Sequence, residues 1–133
     1  MKRLGILIAC GAGLLISALP VFAHHSFAAE YDSSKPIELK GRVAKVEWTN
    51  PHARFYIDVK DANGKVTTWN FELASPNVLS RNGWTRHSLQ EGDEITVQGS
   101  MAKDGSNLAN ARTVTLASGK KVFAGSNTDS DGK

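Results

Sequence analysis

Cysteine is almost missing from this chain: its 133 residues include one, Cys10, inside an apolar N-terminal segment. Leu7-Ile8-Ala9-Cys10 has the residue types of a lipoprotein cleavage box, but the apolar stretch before it is shorter than the usual length of about 7 to 15 residues. We therefore interpret Cys10 as an incidental small residue. The rest of the chain can form no disulfide, so its stability must come from a core or a bound metal.

The chain also lacks an apolar run long enough to cross a bilayer. Its longest, from Leu4 to Leu19, has 16 residues, whereas a spanning helix needs roughly 20. Met1-Lys2-Arg3 supplies a positive start, Pro20 ends the run, and Val21-Phe22-Ala23 places small residues at a cleavage site. The pattern predicts a signal peptide over residues 1–23, cleavage after Ala23, export to the periplasm or the medium, and no membrane span after cleavage.

Neither sign of charge dominates the exported part of the chain. The formal charge of +3 includes Lys2 and Arg3, so residues 24–133 carry 14 basic and 13 acidic side chains. Proteins dedicated to nucleic acids present a strongly basic surface, and this balance predicts that nucleic acid is not a partner. The 110 residues that remain after cleavage are enough for one small domain.

Motifs for catalysis are missing as well. The serines of the exported chain stand in no nucleophile elbow or other recognised spacing, and no glycine-rich phosphate loop occurs. The carboxylates are scattered along the chain. An enzyme is therefore the least supported class, although a copper ion with open coordination positions could carry out redox chemistry.

Alternating apolar and polar residues indicate half-buried strands. In the first strand, which starts at Pro36, apolar or small residues fall at every second position up to Val43, but Val46 and Trp48 are one residue out of phase. This shift predicts a bulge near Ala44-Lys45. A second strand from Arg54 and a third from Val66 to Leu73 flank Asp61-Ala62-Asn63-Gly64, a typical hairpin turn.

A short helix is predicted after the third strand, because Ser75 and Pro76 suit its first positions and Gly83 suits its end. Further strands follow over residues 95–99, 108–116 and 121–124. Three strands, a helix and two or three strands is the order of the OB-fold. We therefore predict an all-β, OB-fold-like barrel of five to six strands.

The predicted barrel occupies residues 36–124, between an N-terminal arm over residues 24–35 and a disordered tail over residues 125–133. The alternatives are a lipocalin-like barrel, which needs about eight strands, and an immunoglobulin-like sandwich, which needs about seven without the intervening helix.

Histidines form the first candidate site. If the signal is cleaved where predicted, the exported chain begins with His24, whose amine and Nδ1 can chelate one metal ion in a six-membered ring. His25, His52 and His87 are the further candidate ligands. Nitrogen donors without sulfur favour Cu(II) over softer ions, so the pattern predicts a copper site. The simpler interpretation is a solvated chain start together with a turn histidine at position 52.

A second set of residues predicts the alternative function, a non-catalytic periplasmic module that binds a glycan, a small ligand or a protein partner. Aromatic and basic side chains on the exposed face of an OB-type barrel can stack on ligands. The candidates are Trp48, Arg54, Tyr56, Trp84 and Arg86. Trp84 follows the helix and would serve equally well as a plug over the barrel end.

Several short motifs resemble those of a family of small secreted bacterial proteins with no established function. The resemblance covers nearly all of the exported domain. It implies one secreted, β-rich domain and marks the histidines as part of the pattern, but it implies no activity. The motifs are His24-His25-Ser26-Phe27, Glu30-Tyr31-Asp32, Thr49-Asn50-Pro51-His52, Gly83-Trp84-Thr85-Arg86, Leu89 with Gly92-Asp93, and Asp104-Gly105-Ser106.

Overall fold

A single helical turn, α1 (Phe27–Glu30), leads directly into the longest strand, β1 (Tyr31–Glu47). This computed structural model describes residues 27–124. The strand begins at Tyr31 rather than at the predicted Pro36, because Tyr31 is buried and already pairs with Ala102. Its ladder resumes only at Pro36, so residues 32–35 form an irregular segment within the strand. Residues 31–35 of the predicted arm therefore belong to the strand.

Strand β1 bends so that its two halves pair with different neighbours. Its first half pairs with β4 (Glu94–Ala102) and its second half with β2 (Arg54–Lys60). The register with β2 shifts between Val43 and Lys45, which confirms the predicted bulge. At the bend the backbones approach so closely that a Cβ on Gly41 would lie 2.7 Å from the carbonyl oxygen of Asp58.

The predicted hairpin and helix are both present. Strand β2 continues through a turn, with Gly64 at φ +82°, into β3 (Val66–Glu72). Helix α2 (Pro76–Arg81) follows, and the Ser75 hydroxyl accepts a hydrogen bond from the Val78 amide at 3.4 Å. A glycine with positive φ, Gly83, stands just past the helix, where such residues end helices.

Closure of the barrel depends on a parallel contact. Strand β5 (Leu108–Leu116) pairs antiparallel with β4 and parallel with the end of β3, from Asn70 beside Leu108 to Glu72 beside Asn110. Strand β6 (Lys121–Phe123) pairs antiparallel with the later part of β5, residues 113–115. Five strands closed in this order, with a helix between β3 and β4 and a sixth strand at the edge, confirm the predicted OB-fold-like barrel.

Aromatic and aliphatic side chains fill the barrel. The rings of Phe55 and Phe71 stack with their centroids 5.4 Å apart and are fully buried. Residues from α2 and the following turn join the same cluster. The other large members are Val43, Ile57, Leu73, Leu79, Trp84, Leu89, Ile95, Val97 and Val114.

Parts of the predicted organisation lie outside the described residues. These parts are the signal peptide over residues 1–23, the histidines His24 and His25, and the tail over residues 125–133. Between Phe27 and Ala124, none of the helices has the length and apolar character required to cross a membrane.

Candidate functional site

A row of polar side chains runs across β1, β2, β3 and β5. The strand registers place Glu47 beside Arg54, Arg54 beside Glu72, and Glu72 beside Asn110. Because side chains alternate along a strand and Phe71 belongs to the core, its neighbour Glu72 is on the outer face. The row therefore crosses the outside of the barrel where β3 and β5 close it.

Glu72 is buried although it faces outward. Only 7% of its side chain is exposed, and each of its carboxylate oxygens has its own partner. Nδ1 of His52 lies 3.1 Å from Oε1, and Nη2 of Arg54 lies 2.5 Å from Oε2. A buried carboxylate is strongly unfavourable unless it is paired and hydrogen-bonded. Arg54 pairs with the carboxylate and donates a hydrogen bond to it, and His52 adds a second positively polarised partner.

Tyr31, near the start of the described chain, is influenced by the charge of Glu72. Its ring is 2% exposed, and its buried hydroxyl makes no hydrogen bond of good geometry with residues 27–124. Burial raises the pKa of Tyr31 far above its ordinary value, and the negative charges of Glu72 and Glu30 raise it further. The hydroxyl therefore stays protonated beside the Glu72 carboxylate. The Phe27 ring lies against Tyr31, with centroids 5.5 Å apart.

Backbone hydrogen bonds hold His52 beside Glu72. The residue after it, Ala53, donates its amide to the Ala74 carbonyl at 3.1 Å and accepts from the Leu73 amide at 2.9 Å. The loop carrying His52 is thus fixed to the chain that follows Glu72. The imidazole is 32% exposed, and because Nδ1 faces the carboxylate, Nε2 is the nitrogen left for a ligand.

The other histidine in the described part of the chain, His87, is exposed. Its amide donates to the Thr85 hydroxyl at 3.2 Å, in the turn between α2 and β4. Within residues 27–124, no cluster of three or more histidine, cysteine or acidic side chains could hold a metal ion. A metal site that combined His52 with two or more side chains of these types would therefore need donors from outside residues 27–124.

The aromatic and basic candidates do not all lie on the surface. Trp84 is 3% exposed and belongs to the core, so its ring plugs the barrel and offers no face for stacking. Arg86 is exposed in the turn that follows. Trp48 is half-buried against the core.

Tyr56 and Arg54 already have partners on the outer face of β2. Nζ of Lys45 lies 5.5 Å from the centre of the Tyr56 ring, and the Tyr56 hydroxyl lies 3.4 Å from Oε2 of Glu47. The Arg54 guanidinium is paired with Glu72. A ligand that approached this face would meet side chains that are already paired with one another.

Two residues of the site, Glu72 and Tyr31, were not candidates on sequence grounds. The signal for Glu72 was nevertheless present. Counting back from the predicted strand ends, Lys60 opposite Val66, pairs Arg54 with Glu72, as the structure shows. An arginine opposite a glutamate that sits between Phe71 and Leu73 indicates a buried ion pair.

Comparisons with known proteins give a family and several distant structures. A model described as "Family of unknown function (DUF6152)" matches residues 12–111. No curated protein matches the chain significantly.

Among solved structures, the mitochondrial single-stranded DNA binding protein Rim1 of S. cerevisiae is 13% identical, with a TM-score of 0.46, over 62% of this chain and 93% of that chain. The N-terminal domain of PriB from Thermoanaerobacter tencongensis is 14% identical, with a TM-score of 0.42, over 63% of this chain and 97% of that chain.

Proposed function

We propose, for a chain that belongs to the family of unknown function DUF6152, that the exported protein binds one Cu(II) ion through His24 and His52. His24 would contribute its amine and Nδ1, and His52 would contribute Nε2. The observation that carries the proposal is the contact of His52 with Glu72, in which Nδ1 lies 3.1 Å from Oε1. Neither His25 nor His87 is required as a ligand.

The length of chain between Phe27 and His24 suits this arrangement. Three Cα-to-Cα steps of about 3.8 Å allow a reach of at most about 11 Å. Phe27 lies against Tyr31, and the charge of Glu72, which contacts His52, acts on Tyr31. The proposal therefore requires the His52 ring to be accessible to a histidine whose Cα lies within about 11 Å of the Phe27 Cα.

The donor set determines the expected metal and its dependence on pH. Three nitrogen donors without sulfur favour Cu(II), with Zn(II) and Ni(II) next in affinity. Binding requires the amine and the imidazoles to be deprotonated, so the affinity should rise with pH and copper binding should release protons.

The test is a Cu(II) titration of four proteins, after intact mass has verified that the exported form starts at His24. The authentic protein should bind most tightly. A form with an additional N-terminal methionine and the His52→Ala variant should both bind more weakly, because each loses donors. His87→Ala is the matched control and should bind like the authentic protein. Equal affinity in all four, or an exported form that starts at Cys10, would rule out the site.

A second candidate function is the non-catalytic binding module, which the half-exposed rings of Trp48 and Tyr56 support. Tryptophan fluorescence during titration with a panel of soluble oligosaccharides would test the glycan version. Trp48→Ala should then abolish binding without unfolding the domain, and EDTA should have no effect. Binding that EDTA removes would favour the copper proposal.

A further inference from the structure

We infer that Glu72 is a positioning residue that fixes the His52 imidazole with its proton on Nδ1, so that Nε2 is the donor atom. The inference deepens the proposed copper site and rests on it for its functional meaning. The arrangement itself, however, is a property of the metal-free protein and can be measured there.

The tautomer follows from the chemistry of the contact. Oε1 of Glu72 lies 3.1 Å from Nδ1 of His52, within ion-pair distance. A lone pair on Nδ1 would be repelled by the negative carboxylate, whereas an N–H group on Nδ1 is attracted to it. The carboxylate therefore favours the proton on Nδ1, and in a neutral imidazole Nε2 then carries the lone pair. Histidine ligands commonly donate their second ring N–H to a carboxylate in this way.

Glu72 is not free to act as a metal ligand itself. Its second oxygen, Oε2, is occupied by Nη2 of Arg54 at 2.5 Å, and the side chain is almost completely buried. The role left to the carboxylate is to orient its neighbour.

The backbone fixes both partners of the pair independently. Glu72 is held between two strands, through the antiparallel pairing with Arg54 and the parallel pairing with Asn110. The loop of His52 is tied to the same segment by the hydrogen bond from the Leu73 amide to the Ala53 carbonyl. The imidazole and the carboxylate therefore meet through the fold and not through a chance contact of mobile side chains.

Nitrogen-15 NMR of histidine-labelled, metal-free exported protein tests the tautomer directly. In the wild type, the neutral form of His52 should show a protonated Nδ1 and an unprotonated Nε2. The inference is wrong if His52 carries its proton on Nε2 in the wild type. This measurement uses only the wild type, so it depends neither on the folding of a variant nor on copper binding.

The Glu72→Gln variant tests the cause. Arg54 can only donate, so it should attract the amide oxygen and turn the amide N–H toward His52, which would move the imidazole proton to Nε2. His87, which is exposed, is the internal reference and should keep its spectrum. A folded Glu72→Gln protein with an unchanged His52 tautomer would also overturn the inference.

Copper titration then separates this inference from the proposed function. Glu72→Gln should weaken Cu(II) binding by about 10- to 100-fold, the usual effect of losing such an outer partner. Glu94→Gln, at an exposed glutamate that also faces an arginine, should change nothing. If the wild type binds no copper, the proposed function fails while the tautomer stands. If folded Glu72→Gln binds copper like the wild type, the positioning role fails and the copper site stands.

Discussion

The Arg54 guanidinium donates to the Glu72 carboxylate across the β2–β3 ladder, with Nη2 and Oε2 2.5 Å apart. Nδ1 of His52 lies 3.1 Å from the other oxygen of the same carboxylate, so the three side chains form one cluster on the outer face of the barrel. Two positively polarised partners stabilise a carboxylate that the fold removes from water. The cluster should therefore matter for stability as well as for the proposed metal binding.

Glu72→Ala should lower the free energy of unfolding by about 2 to 3 kcal/mol. Removing one partner of a fully buried ion pair typically costs about 3 to 5 kcal/mol. The effect should be smaller here because 29% of the Arg54 side chain and 32% of the His52 side chain are exposed. Urea unfolding measures the loss.

The matched control for that variant is Glu94→Ala, which removes an exposed ion pair with Arg42. Its expected effect is at most about 1 kcal/mol, as for other surface pairs. Equal losses in the two variants would contradict the burial of Glu72.

Tyr31→Phe should make the protein more resistant to alkaline unfolding. The pKa of Tyr31 is raised in the folded state, from an ordinary value of 10.0. Above pH 10 the unfolded chain loses the Tyr31 proton while the folded protein still keeps it, and this loss favours the unfolded state. The contribution of Tyr31 to the free energy of unfolding is therefore complete below pH 10 and is lost as the pH rises further. One such group changes the unfolding free energy by about 1.4 kcal/mol per pH unit.

The measurement is urea unfolding of wild type and Tyr31→Phe at several pH values above and below 10. Both proteins contain the same lysines, so the difference between their unfolding free energies reports on Tyr31 alone. Tyr56→Phe removes a hydroxyl but retains Tyr31, so its free energy of unfolding should fall above pH 10 as it does in the wild type. Parallel curves for wild type and Tyr31→Phe would refute the prediction.

Trp84→Ala should destabilise the domain by about 3 to 5 kcal/mol, the usual effect of truncating a buried aromatic residue. Trp48→Ala should be milder, about 1 to 2 kcal/mol, because Trp48 is only half-buried. Thermal and urea unfolding compare the two. Wild-type stability in Trp84→Ala would show that the ring is not part of the core.

Gly99→Ala should disturb the barrel close to the site. A Cβ at Gly99 would lie 1.9 Å from the carbonyl oxygen of Asn110, so the β4 and β5 backbones would have to separate. Overpacking of this kind typically costs about 1 to 3 kcal/mol. Gln98→Ala, at the exposed neighbouring position, is the control and should cost less. Unchanged stability in Gly99→Ala would contradict the close approach of the two strands.

Local structure was largely predictable because it depends on residues close together in sequence. The parity shift after Val43 predicted the bulge, and the polar turn before Val66 predicted the hairpin. Ser75, Pro76 and Gly83 predicted the helix, because caps and positive-φ glycines act on the adjacent backbone. The order of these elements was enough to identify the OB-fold-like barrel.

The site required information that sequence spacing does not contain. Pairing within a hairpin can be counted from its strand ends, here Lys60 and Val66, which would have brought Arg54 beside Glu72. The pairing of Glu72 with Asn110 joins segments far apart in the chain, and it exists only because β3 and β5 close the barrel. The burial of Trp84 depends on the same closure.

The sequence by itself determined the strands, the turns, the helix and the histidine pattern. The tertiary structure alone decided that Glu72 is buried and that one nitrogen of His52 faces it. The physical reason is that hydrogen-bonding and φ preferences act over a few residues, whereas burial depends on which distant segments exclude water together.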